Sequence, residues 1–426
     1  MMTSRERVKL ALNHQAPDRI PLDMGGSVVT GMHVSTVYRL RQALGLDLPG
    51  TPVKVIEPYQ MLGEIQSDLV ERLGIDVLPL VGSSTMFGFR CEGWKPWTTF
   101  DGTPVLVPAG FNTDPEPDGS ILMYPEGDKS APPSGRMPHG GWYFDSLIRQ
   151  PPIGDEPLNV ADNLEEFGPI SDAELAHFAS EAERLYTQTD KAILANFGGT
   201  AFGDIALVPA PQLKHPRGIR DVEEWYVSTV TRRDYIYQVF ERQCEIGLAN
   251  LARIYEAVGD RVTAVFVTGT DLGTQTGPFI SPKTYRSLYQ PFHRRVNDWI
   301  HEHTGWKSFT HSCGSVMALI PDFIEAGFDI LNPVQCSAAQ MEPWELKRRF
   351  GERLTFWGGG VDTQRTLPFG TPEQVRQEVR ERISIFGRGG GFVFNPIHNV
   401  QPQTPIENLL AMFDTLQGYG GYPLEG

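Results

Sequence analysis

The sequence predicts an α/β protein folded as a (β/α)8 TIM barrel, and three observations carry that expectation. Short apolar runs alternate along the 426 residues with longer stretches of helical period, as parallel strands joined by crossover helices require. Several of those runs are almost continuously apolar, which fits strands buried on both faces. One further stretch, 87–153, breaks the rhythm and reads as an antiparallel β flap inserted between strands 2 and 3. A doubly wound open sheet is the alternative arrangement.

The elements follow in order. "MMTSRERVKLALNHQ" interleaves charge with apolar residues, which suits an amphipathic helix and not a secretory leader. Strand 1 is "RIPLDM" from Arg19, and strand 2 is "IDVLPL" from Ile75. Between strands 2 and 3, the 87–153 stretch holds eleven prolines (Pro96 to Pro152) and no helical period. Within it, "WTTFDGTPVLVP" and "PDGSILMYP" place short strands around Asp-Gly turns. A loop of this length in a compact domain commonly covers a site or carries function. Strands 3 to 5 are "AILANF" from Ala192, "VTAVFVT" from Val262 and "KSFTH" from Lys307. Strands 6 to 8 are "DILNPV" from Asp329, "LTFWGG" from Leu354 and "GFVFNP" from Gly391. Residues 1–426 are therefore expected to form one barrel domain with the 87–153 insert as an elaboration.

Bulk properties narrow the function. A net charge of -15 and a pI near 5.2 argue against a broad nucleic-acid interface, which needs a basic footprint. There is no 18-residue apolar stretch, so no membrane-spanning helix is expected. Four scattered cysteines, Cys91, Cys244, Cys313 and Cys336, are too few for a disulfide framework and suit a reducing cytoplasm.

The chemistry-bearing pattern is a trio of soft ligands at two strand ends. His311 and Cys313 lie two apart in "SFTHSCGS", so in extended chain both point to one side. His398 follows 85 residues after Cys313, just past strand 8, and thus at the same C-terminal mouth where barrel enzymes keep their active sites. Imidazole and thiolate are ligands zinc prefers, and three of them leave a coordination position open. Cys336 after strand 6 is a rival ligand but reads as a bystander thiol, and His301 and His303 read as surface residues. Carboxylates also stand near predicted strand ends. Asp271, in the Gly-rich turn after strand 4, is expected to orient a ligand or shuttle a proton; Asp23 and Asp76 are further catalytic candidates. Tyr285, Asp362 and Gln335 are expected to contact substrate.

Five ordered blocks resemble the uroporphyrinogen decarboxylase superfamily: "SRERVKLALNHQAPDRIPLD", "DLGTQTGPFISPKTYRSLYQPFHRR", "HSCGSVMALIPDFIEAGFDILNPVQ", "LTFWGGGVDTQ" and "NPIHNVQPQTPIENLLAMF". The resemblance implies a (β/α)8 barrel and a homodimer. True decarboxylases carry an arginine-rich segment near the N-terminus where this chain has "PLDMGGSVVTGMH". The other branch, the zinc-dependent corrinoid methyltransferases, has a His-X-Cys pair matching His311 and Cys313 and a later Cys where this chain has His398. That branch implies Zn²⁺, a corrinoid (methylcobalamin) carried by a partner protein, and methyl transfer to or from a small substrate. The alternatives are a metal-independent decarboxylase or lyase acting on a carboxylated substrate, and a barrel that has become a binding protein.

Overall fold

Seven parallel strands form one curved sheet whose C-terminal edge gathers the candidate site. The computed structural model describes residues 2–154 and 157–424. In chain order the strands are β1 (Val53–Glu57), β2 (Leu62–Gly63), β3 (Val77–Val81), β4 (Lys95–Thr98) and β5 (Pro104–Val107). Then come β6 (Ile121–Met123), β7 (Gly135–Met137), β8 (Asp145–Ser146), β9 (Ala192–Asn196) and β10 (Ala264–Thr268). The last four are β11 (Lys307–His311), β12 (Ile330–Asn332), β13 (Thr355–Trp357) and β14 (Phe392–Val393).

The main sheet runs in the order β14-β13-β12-β11-β10-β9-β3, with every neighbouring pair parallel. Each member falls on one of the predicted strands 2 to 8. All five residues of β10 are buried, which fits a run that is apolar at all but its last position. Val77, Leu194, Phe266, Phe309, Ile330 and Val393 belong to one inner cluster. Val8 and Leu12 of the helix Ser4–Leu12 join it. That helix begins at a capping box, in which Thr3 Oγ1 accepts from Glu6 N while Glu6 Oε2 accepts from Thr3 N.

Predicted strand 1 is a correction. It forms no regular strand, only isolated bridges, of which Leu22 to Phe394 is parallel. Its backbone nevertheless ties the two edge strands of the sheet together. Asp23 N donates to Phe394 O, Phe394 N to Pro21 O, and Asp76 N to Leu22 O, all at 2.8–2.9 Å. Pro21 has no N–H to give, so a regular ladder cannot run through this stretch.

The segment between β3 and β9 holds β4 to β8. The Asp101-Gly102 turn joins antiparallel β4 and β5, and β6-β7-β8 form a second antiparallel sheet. Strand β5 pairs in parallel with β1, which lies outside 87–153. The segment grips loops at the C-terminal edge from two sides. Arg149 donates to Leu213 O and Ala210 O, and Tyr143 Oη bonds Gln401 Oε1. Among the described residues no helix is long and apolar enough to cross a membrane.

Candidate metal centre

His311 is the last residue of β11 and is 3% exposed. Beside it in the ladder stands Asn332, the last residue of β12. Asn332 Nδ2 donates to Trp357 O at 2.7 Å, so its Oδ1 is the atom that meets His311 Nδ1 at 2.6 Å. An amide oxygen only accepts, so Nδ1 carries the imidazole proton and Nε2 is left with a bare lone pair. That Nε2 lies 3.4 Å from Cys313 Sγ and 3.7 Å from Asp271 Oδ1.

Cys313 sits in the turn after β11, and the turn is pinned from three sides. Cys313 N donates to Asp271 Oδ1 at 2.6 Å, Gly314 N to Gln335 Oε1 at 2.7 Å, and Leu272 N to Ser312 Oγ at 2.9 Å. Gly314 has φ +87°, and a Cβ there would stand 2.5 Å from the Gly273 carbonyl carbon, so the close loop contact requires glycine. Asp271 thus holds the Cys313 backbone through its carboxylate. Gln335 is 4% exposed and holds the turn by its amide oxygen.

His398 arrives from the loop after β14. Its ring stands edge-on to His311, with centroids 5.3 Å apart and planes at 74°. Among the described residues, His311, Cys313 and His398 each bring one ligand atom to within 4.8 Å of the others. Burial holds both imidazoles below their ordinary range, His398 at about 3, so both are neutral near pH 7 as metal ligands must be. Burial, with Asp271 and Asp204 nearby, pushes the Cys313 thiol well up. It is therefore protonated without an ion, and its S–H donates to His311 Nε2.

The donor set fits zinc. Two ligands of a tetrahedral zinc, one nitrogen and one sulfur, lie about 3.5 Å apart, close to the His311–Cys313 separation. His398 fits at a cost, because its Nδ1 accepts Asn399 N–H at 2.8 Å. Coordination through Nδ1 exchanges that contact for the ion, and coordination through Nε2 needs the proton on Nδ1.

The other expected residues are not gathered here. Asp76 precedes β3, at the opposite, N-terminal edge of the sheet. Its carboxylate is clamped by Arg7 and Arg19 at 2.7 Å and also accepts Leu22 N, so its expected catalytic role is corrected to a structural one. Tyr285 is corrected likewise. It is fully buried against Tyr289 and Phe323, with its hydroxyl on His293 Nδ1. Asp362 caps its own loop by accepting from Gln364 N and Arg365 N. Asp23 is fully buried, with its oxygens on Gly26 N and Trp357 Nε1. Burial lifts its carboxyl to about 6. Cys336 is outside the ligand group, and exposed His301 pairs with Asp329.

Two residues near the centre escaped the sequence reading. Asp204, after β9, is 8% exposed and electrostatically coupled to Asp271. Tyr226 donates to Asp271 O at 2.7 Å and stacks on Phe279 at 5.0 Å. Neither stands at a spacing that sequence alone connects to His311. None of Asp204, Asp271, His311, Cys313 and His398 forms an ion pair with a lysine or arginine among the described residues.

Known proteins resemble this chain in part of its sequence and in its fold. Uroporphyrinogen decarboxylase from Pseudoalteromonas translucida (strain TAC 125) is 30% identical over 142 residues, 31% of this chain and 36% of that protein. Methylated-thiol--coenzyme M methyltransferase from Methanosarcina mazei is 31% identical over 137 residues, 31% of this chain and 32% of that protein. The aligned stretches thus span about a third of either relative. A solved methyltransferase from Methanosarcina mazei has the same fold, with TM-score 0.54 and 16% identity over 98% of this chain and 99% of that one. Residues 217–419, which carry β10 to β14 and the whole ligand trio, match the model of the uroporphyrinogen decarboxylase (URO-D) family.

Proposed function

We propose that this protein is a zinc-dependent methyltransferase or demethylase that moves a methyl group between a small substrate and a corrinoid carried by a partner protein. The observation that carries the reading is His311 Nε2, left without a proton because Asn332 Oδ1 accepts from Nδ1, and set 3.4 Å from Cys313 Sγ. The methyltransferase relative and the methyltransferase of like fold support it. In this reading His311, Cys313 and His398 hold the ion, which supplies Lewis acidity toward a substrate heteroatom. One thiolate and two neutral imidazoles leave a divalent ion with a net charge of about +1, against near zero for a two-thiolate set. The more positive ion favours polarising an oxygen over carrying an electron-rich thiolate.

The chain's own residues do the rest. Asn332 fixes the His311 tautomer, Asp271 holds the Cys313 backbone, and Tyr226 holds the Asp271 backbone. Residues 20–24 act as the eighth stave of a closed barrel, and the 87–153 segment roofs its mouth as a flap through Tyr143 and Arg149. We further propose that residues 1–426 form one domain and that the protein is a homodimer. A decarboxylase reading is less well supported, because a carboxylated substrate needs cations and, among the described residues, no lysine or arginine pairs with the site residues.

The test is methyl transfer from candidate donors to reduced cobalamin, followed by the corrinoid's visible spectrum. Transfer that is lost with Cys313→Ala supports the reading. Transfer unaffected by that substitution overturns it.

A further inference from the structure

The flap tip, Trp142-Tyr143, stands on the same stretch of chain that carries His398. Tyr143 Oη, its phenol kept protonated by burial, donates to Gln401 Oε1. Gln401 Nε2 donates to Asn399 O at 2.9 Å, and Asn399 N donates to His398 Nδ1 at 2.8 Å. Three hydrogen bonds thus lead from the flap to a ligand ring.

A second contact runs beside them. His33 is 2% exposed and caps the helix Val34–Ala43 by accepting Ser35 N at Nδ1. Its proton is therefore on Nε2, which donates to Trp142 O at 3.2 Å. Its ring stands edge-on to Trp142 and Tyr143, with centroids 5.5 and 5.6 Å away. The His33 backbone N donates to Val400 O at 3.0 Å, so this residue too joins the flap tip to the loop of His398.

The three ligands differ in what holds them. His311 ends β11, and Cys313 lies in the turn that follows it. His398 lies between β14 and the helix Ile406–Tyr419, in a loop whose β pairing is one isolated bridge from Val400 to Met32. The Asn399 side chain anchors that loop to residues 28–31 and to Gln60, at 2.6–2.9 Å. The Asn399 carbonyl is held by Gln401, and Gln401 by the flap.

Resting on the metal reading, we propose that the inserted flap completes the metal site, with Tyr143 as a positioning residue that acts through Gln401 and Asn399 to hold His398 beside His311 and Cys313. Metal binding and flap docking are then linked, and each strengthens the other by the same factor.

The experiment measures zinc affinity of the metal-free full-length protein by competition with a chelator. It compares the wild type, Tyr143→Phe, His398→Ala and the double variant. Tyr143→Phe keeps the ring and removes the hydroxyl alone, and it is expected to weaken zinc binding about tenfold. In the His398→Ala background the same substitution is expected to change affinity by less than about twofold, because the path ends at that ring. Amide exchange of residues 142–146 in the wild type is followed with and without zinc, and zinc is expected to slow it. Wild-type affinity in Tyr143→Phe, an equal loss in the His398→Ala background, or flap exchange indifferent to zinc overturns the proposal and leaves the metal reading intact. Failure of the wild type to bind zinc overturns both.

Discussion

Asn332 determines which nitrogen His311 presents. Its amide is held by the Trp357 carbonyl, so its oxygen can only accept from Nδ1, and Nε2 is turned bare toward Cys313. Partners of this kind raise ligand basicity and fix ring orientation. Asn332→Leu should therefore weaken zinc binding by roughly 10–100-fold, read by competition with a chelator of known affinity. Unchanged affinity would show that His311 needs no such support.

The opposite edge of the sheet should respond in the reverse way. Asp76 is fully buried between Arg7 and Arg19 and also accepts Leu22 N, so it locks the helix Ser4–Leu12 and residues 19–22 to the start of β3. Asp76→Ala leaves Arg7, itself 6% exposed, with Asp18 as its remaining carboxylate and removes the acceptor of Leu22 N, and should cost about 3 kcal/mol of stability. Urea unfolding measures this. Zinc content of the folded variant should stay unchanged, and loss of zinc without loss of stability would contradict the assignment.

Asp204 also predicts a pH dependence of stability. Its carboxyl is raised from 3.8 to about 7 in the folded protein, so between those values the folded state holds a proton that the unfolded state has lost. Stability from this group is greatest below about pH 4 and falls as pH rises through about 7. The span is on the order of 4 kcal/mol. Asp23 and Glu57, also raised by burial, act in an overlapping window, so the comparison with Asp204→Asn isolates the contribution. The variant should show a shallower fall between pH 4 and 7. Parallel curves would mean that Asp204 is ionised in the folded state.

Much of this architecture is legible in the sequence because burial on both faces leaves a plain signal. The run that became β10 is apolar at all but its last position, and the two-residue spacing of His311 and Cys313 follows from strand geometry. His398 is legible only once strand 8 is placed. Asp76 was misread because a carboxylate beside an apolar run looks the same at either strand end, yet the two ends lie at opposite edges of the sheet. Tyr285 was misread because the face a helical residue presents depends on packing that the sequence does not display. Asp204 gave no signal at all. The 67 residues from Asp204 to Asp271 are closed by the parallel pairing of β9 with β10, whose following loops carry the two carboxyls. Asn332 carried a faint one, as a polar residue ending a buried strand next to the strand that ends in His311.

The central claim is that His311, Cys313 and His398 bind one zinc ion. The most direct measurement is elemental analysis of protein purified without chelator or affinity-tag metal, with Cys313→Ala and His398→Ala beside it. The account predicts about one zinc per chain in the wild type, its loss in Cys313→Ala and a clear reduction in His398→Ala. No metal in the wild-type protein, or full zinc in Cys313→Ala, would contradict it.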